Sequence, residues 1–362
     1  MYKGRSEESL LARPKGSILS RSPDSEKQQS LSLAEPESEA RRFLELQLLA
    51  NYFTNILSSM DSIWTFHEVP SIALQPGGNA HRNLLYAVLA YSAAHVVLTK
   101  PPDTEQIRVA RDTYLGISLQ EQRQAVSELG SHNAVAVSLT AILLMGVPFM
   151  GLQERILEQP YEPPMDWLRM GQGVRKVFDV VTADRFDGRG SMESQFQELF
   201  SKPRGLTDFD AIFSEDHLRD YMHLLRPAPS LVGSGDDETD WDSELVVPVV
   251  YDAYKKALSY LGYLHEAITR NHDEPLTHFC RRLFAFPMLI PHYFVTLISE
   301  RRPRALVILG YFFAIMTQAR SLWYVGNMAE SELRAIRECL PHRWREELRW
   351  PFAFAGISFE SI

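Results

Sequence analysis

The chain has 362 residues, of which 45% are hydrophobic and 11% aromatic, so it can bury a sizeable core and is too apolar for a disordered chain. Acidic side chains outnumber basic ones 46 to 37, and the net charge of −9 argues against nucleic-acid binding by this chain on its own. The only cysteines, Cys280 and Cys339, read as core residues of a reducing compartment. They form no short-spaced pair that would begin a zinc site of about four ligands.

Residues 1–40 read as a disordered, linker-like tail, rich in Ser, Glu, Lys and Arg and broken by Pro14, Pro23 and Pro36. Its first half is mildly basic and lacks the apolar stretch of a secretory signal. Helical periodicity then begins. Leu49, Tyr52, Phe53, Ile56 and Leu57 form one stripe, and Leu84, Ala87, Val88, Tyr91, Ala94 and His95 form another. Ile107 to Leu129 is a long, charged and more exposed helix that stops at Gly130.

Ala134 to Leu152 carries no charge, and its length invites comparison with a membrane span. Ser138, Thr140 and Pro148 favour a core helix that is apolar on every side, and no stable membrane span is expected. Pro160, Pro163 and Pro164 interrupt the chain before a helix that starts at Met165 or Asp166 and carries Trp167. Asp184 to Gly190 is a turn cluster. An acidic loop at 232–244 holds Asp236, Asp237, Glu238, Asp240, Trp241, Asp242 and Glu244. It is either an ordinary solvated loop or an acidic activation segment offering charge around one tryptophan.

Two long helical segments follow, Leu245 to Arg270 and Pro275 to Glu300. The apolar run Ala305 to Met316 is shorter than the roughly 20 residues that cross a bilayer. Arg301, Arg302 and Arg304 bound it on one side, Gln318 and Arg320 on the other, so it reads as a buried helix. Alternating strand patterns are nearly missing, and the fold class is all-α.

Catalytic patterns are thin. Gly171-Gln-Gly173 follows no strand and lacks a third glycine. There is no Walker loop and no nucleophile elbow. The eleven histidines are scattered, and His265-Glu266 does not form the zinc-helix motif. Glu346 and Glu347 are adjacent, so they suit salt bridges to Arg343 and Arg349 rather than paired acid–base work. No enzyme, no metal and no cofactor are expected.

Four segments carry a resemblance in a fixed order. They are Phe43 to Thr54; Asp166 to Phe178, with its Trp-Leu-Arg-Met and Gly173-Val174; Ala305 to Met316, followed by Trp323-Tyr324; and Trp344 to Trp350-Pro351. Together they resemble the C-terminal effector domain of fungal zinc-cluster transcription regulators of the sterol-uptake-control type. The resemblance implies one all-α domain over residues 41–356, a nuclear protein that can shuttle from the cytoplasm, and a role in transcription. The genes concerned would be metabolic, sterol-related or secondary-metabolite clusters.

That family's six-cysteine zinc cluster is absent from the chain, so DNA contact is expected through a longer chain or a zinc-cluster partner. A homodimer or a heterodimer with such a regulator is implied. The alternative is a free-standing sensor of an apolar molecule, or a protein that titrates a related regulator. By resemblance, an apolar small-molecule ligand would be lined by Phe286, Met288, Tyr293, Phe294, Phe312, Phe313, Met316 and Trp323. Large aromatics and methionines can line a cleft, and the same spacing also fits plain helical core.

Overall fold

The computed structural model describes residues 38–60, 69–74, 81–100, 104–183, 208–226, 243–270 and 276–359. Every regular element among them is helical, so the fold is all-α. The tail 1–37, the turn cluster 184–190 and the acidic residues 236–242 lie outside the described residues.

Helix α1 (Glu39–Asn51) starts where Ser38 accepts a hydrogen bond from the Arg41 amide at 3.2 Å, capping a donor that the first turn leaves free. It passes through a π-helical turn, Tyr52–Ile56, into α2 (Leu57–Met60). The wider turn adds one residue, so the stripe expected from Leu49 to Leu57 changes face within it. Tyr52 and Ile56 are buried, whereas Phe53 is 46% exposed.

After α3 (Val69–Ala73), α4 (Arg82–Thr99) and α5 (Glu105–Ser127) pair with each other, and α6 (Ala134–Gly151) lies against both. The α4 stripe from Leu84 to His95 is buried as its spacing implies. Helix α5 is less exposed than its charges suggest. Ala110, Tyr114, Ile117, Ser118 and Gln122 form a buried face on it. Close approach of α4 and α6 depends on Gly146, where a Cβ would lie 2.5 Å from the Tyr91 ring. With its short extension to Glu154, α6 is long and apolar enough to cross a bilayer, yet 89% of its apolar window is buried within the protein. Neighbours α4, α5 and α7 (Met165–Ala183) surround it.

Helix α7 ties this first group to the rest of the protein. Beyond it come α8 (Phe209–Ile212), a 3-10 segment Glu215–Leu225 and a second, Ser243–Val246. Then follow α9 (Pro248–Thr269), α10 (Leu276–Leu289), α11 (His292–Ser299) and α12 (Pro303–Met316). The chain closes with α13 (Met328–Cys339), α14 (His342–Arg345) and α15 (Arg349–Ala355), the last ended by left-handed Gly356. Pro248 and Pro303 stand at the starts of their helices, where a missing N–H costs nothing.

The single helix expected over Pro275 to Glu300 is two helices, bent by 81° at Pro291. Proline supplies no amide donor and pushes the preceding residue out of helical conformation. The carbonyls left open at the bend are taken from α7. Gln172 Nε2 donates to Pro287 O at 2.6 Å and to Ile290 O at 3.1 Å, and Arg175 donates to Leu289 O at 3.3 Å. Helix α12 is buried along all fourteen residues, with α9, α11, α13 and α15 packed around it. Arg304, read as one of the charges that bound this run, is buried with it at 1% exposure.

The glycines of α7 therefore have different roles. A Cβ at Gly171 would lie 2.4 Å from Pro287, while one at Gly173 meets open space. Gly171→Ala should destabilise the protein by about 1–3 kcal/mol through overpacking. Gly173→Ala should stabilise it by about 0.5–1 kcal/mol through helix propensity. Urea denaturation followed by circular dichroism checks both signs; equal effects at the two sites would refute the packing account.

Candidate functional site

Where α6, α7, α10 and α12 meet, large rings pack directly on one another. Phe286 and Phe312 are stacked with centroids 3.8 Å apart and planes 19° apart. Trp167 lies 5.8 Å from Phe312 and 6.4 Å from Phe286. Phe149 continues the seam, 5.4 Å from Trp167 and 4.5 Å from Phe284. Phe313 sits 5.7 Å from Phe312 in edge contact. Each such ring pair adds about 0.5–1.5 kcal/mol beyond its buried area.

The residues expected to line a ligand are only partly brought together. Phe286, Phe312 and Phe313 belong to the seam, and Met316 is buried further along α12. Phe294 is buried apart from these ring contacts, edge-on to Tyr254 at 6.1 Å. Met288 is half-buried, and Tyr293 points outward with 40% exposure. Trp323 stands at a different junction: it meets His95 edge-on at 4.5 Å and donates from Nε1 to Ser59 Oγ at 3.2 Å. The residue that the expectation omitted is Trp167, whose indole is fully buried in the seam and whose Nε1 has no hydrogen-bond partner among the described residues. Its signal was available in the apolar spacing of Trp167, Leu168 and Val174.

Three polar groups are built into this apolar interior. Asn51 Nδ2 donates to Ser92 Oγ at 2.8 Å and lies 3.2 Å from His95 Nδ1, which links α1 to α4. Burial, with the Lys100 charge secondary, pushes His95 down to about 4, so the ring is neutral at pH 7. Glu332 of α13 is fully buried. It accepts from the Tyr161 hydroxyl at 2.6 Å and from Arg155 at 2.7 Å, which pins the chain between α6 and α7. Burial raises its carboxyl, and Arg155 and Tyr161 oppose that rise.

The third group concerns Glu244, expected in a solvated acidic loop. It is instead 8% exposed and accepts from Arg304 Nε at 3.2 Å. The same guanidinium donates to Leu224 O and to Arg226 O, the latter at 3.2 Å. It lies over the Trp344 ring at 5.0 Å. Tyr254 is near enough to act on the same carboxylate, although neither its hydroxyl nor Glu244 Oε2 completes a hydrogen bond. Burial raises the Glu244 carboxyl against the pull of Arg304.

Cys280 is buried and Cys339 half-buried, and burial pushes both thiols up to about 11, away from thiolate reactivity. Glu346 pairs with Arg349, as its spacing implies. A solvent-open recess of about 260 Å³ lies elsewhere, between His81, Arg82, Glu121, Glu128 and His132. Among the described residues no group of three His, Cys, Asp or Glu side chains is placed to hold a metal ion.

The class this arrangement defines is an all-helical domain whose buried polar groups join its elements. No protein-family profile matches the chain. Two curated proteins are similar to it along most of its length. A Zn(2)-C6 fungal-type transcription factor of Gibberella zeae is 26% identical over 349 residues, covering 89% of this chain and 63% of the relative. The Zn(2)-C6 fungal-type transcription factor afumD of Aspergillus fumigatus is 27% identical over 285 residues, covering 76% of this chain and 68% of the relative. The chain thus spans about two thirds of the length of these relatives. Its similarity to these two fungal zinc-cluster transcription factors agrees with the order of its motifs.

The polar network at His95 gives a pH signature. The unfolded chain takes up a proton near 6.5, while the folded ring stays neutral until about 4. Stability from this group is therefore complete above 6.5 and is lost as pH falls toward 4. Between pH 7 and pH 5 the wild-type protein should lose about 2 kcal/mol relative to His95→Gln. Urea titrations of both proteins at the two pH values measure it; a constant difference would show that His95 is not held neutral by the fold.

Proposed function

We infer that this chain is the regulatory part of a fungal transcription regulator. The observation that carries this reading is similarity over 89% of the chain to a protein named as such a factor. The all-helical fold and the scarcity of candidate chemistry support the same reading, and the relatives' names point to a non-enzymatic role. DNA would be reached through a zinc cluster outside this sequence or carried by a partner, and the working location would be the nucleus. The genes controlled would be metabolic, sterol-related or part of a secondary-metabolite cluster.

Within that role, the helical domain answers an apolar small molecule at the seam of Phe286, Phe312, Phe313, Met316 and Trp167. Adaptable methionine and stacked rings are suited to such a guest, which would enter by parting the α10–α12 contact. Asp236 to Asp242, with Trp241 among them, would then serve as the segment that meets a coactivator.

Joining the chain to an unrelated DNA-binding module in yeast tests the role. Reporter transcription should change several-fold in either direction, and neutralising Asp236, Asp237, Glu238, Asp240 and Asp242 should reduce any activation. A nuclear, abundant fusion that leaves the reporter unchanged would overturn the reading. Fluorescence titration with a sterol probe and mass spectrometry of apolar extracts from the purified protein address the ligand separately.

A further inference from the structure

Arg304 joins parts of the chain that are far apart in sequence. Leu224 and Arg226 precede the acidic sequence, Glu244 is its last residue, and one buried guanidinium holds all three. Arg304 is also the second residue of α12, about 12 Å along the helix from Phe312 at 1.5 Å per residue. Because every residue of α12 is buried, a displacement at the ring stack is passed along a helix with little freedom to bend.

The ion pair is not held with energy to spare. Among the described residues, the Tyr254 hydroxyl and Glu244 Oε2 face each other without completing a hydrogen bond, and Trp344 Nε1 is buried beside Arg304 with no partner. Unpaired groups of this kind oppose the pair they surround, and buried ion pairs already return little net stability. A small shift of α12 can therefore decide whether the pair stays closed.

We propose that Arg304 is a positioning residue that transmits the state of the Phe286–Phe312 seam to the segments at Leu224–Arg226 and Glu244. With the seam closed, Arg304 holds both segments. When a guest parts the rings, α12 moves, the pair with Glu244 opens, and both segments loosen together. This rests on the ligand reading above and adds its route of regulation: a coupling between two sites with a named element that both bias.

Hydrogen–deuterium exchange of the full chain tests it, with ergosterol as the probe and its binding measured independently. In the wild-type protein, exchange over 215–226 and 243–247 should rise about fivefold on binding, with α4 and α5 unchanged. In Arg304→Met both segments should already exchange fast and ignore the probe, while probe affinity persists. Should Arg304→Met fail to fold, Glu244→Gln, which keeps size and removes the charge, should raise exchange at the same two segments.

Bound probe with no response at either segment overturns the coupling and leaves the ligand reading standing. Absence of binding overturns the ligand reading for this probe. The coupling is then decided by Phe312→Leu, which loosens the seam without a guest. Faster exchange in α10 and α12 accompanied by both anchored segments supports the proposal, and faster exchange confined to α10 and α12 overturns it.

Discussion

A helix that is apolar on every side has no face to give to water, and two such helices stand among the described residues. Helices α6 and α12 must each be enclosed, and the remaining helices are arranged to do so. Burial of each large apolar side chain contributes about 1.5–3 kcal/mol, so exposing either helix would cost more than the whole domain's net stability. Helix α7 stands between the two groups: it packs on α6 with one part of its surface and on α10 with another. The aromatic seam is where those demands meet, with Trp167 filling the space between Phe149 and Phe312.

Apolar packing alone would allow neighbouring helices to slide, and the buried polar groups restrict that freedom. Asn51 with Ser92 fixes α1 on α4, while Tyr161 with Glu332 fixes the α6–α7 connection on α13. Gln172 fixes α7 at the bend between α10 and α11. Each contact satisfies a group that would otherwise be buried unpaired, so a shifted arrangement loses on the order of 1–3 kcal/mol per group. Arg304 and Glu244 follow the same logic with full charges, where desolvation nearly offsets attraction.

Sequence periodicity identified the buried helices well because their signal is purely apolar. The α4 stripe and the enclosure of Ala305 to Met316 follow directly from it. It underestimated α5, whose buried face includes Ser118 and Gln122: Ser118 bonds the Asn83 carbonyl and Gln122 the Asn83 side chain. Pro291 was visible, yet the bend it causes is completed by Gln172, more than a hundred residues away. Glu244 read as part of an acidic loop and Arg304 as a charge bounding an apolar run, because nothing local reveals that they face each other. For the seam, residue type was informative and direction was not: Phe286 and Phe312 point inward, while Tyr293 points out.

The π-turn at Tyr52–Ile56 has a consequence for comparing this chain with others. One extra residue rotates everything before it by about 100° relative to everything after, since an α-helix advances by 3.6 residues per turn. The burial of Leu48 and Asn51 and the outward direction of Phe43 and Leu46 are therefore set by a length rather than by residue types. A relative lacking that residue would present a different side of α1 to α4 while keeping every apolar position. Alignments that place a one-residue gap near Tyr52 mark a change of helix face, and a match of residue types across such a gap does not mean a match of surfaces.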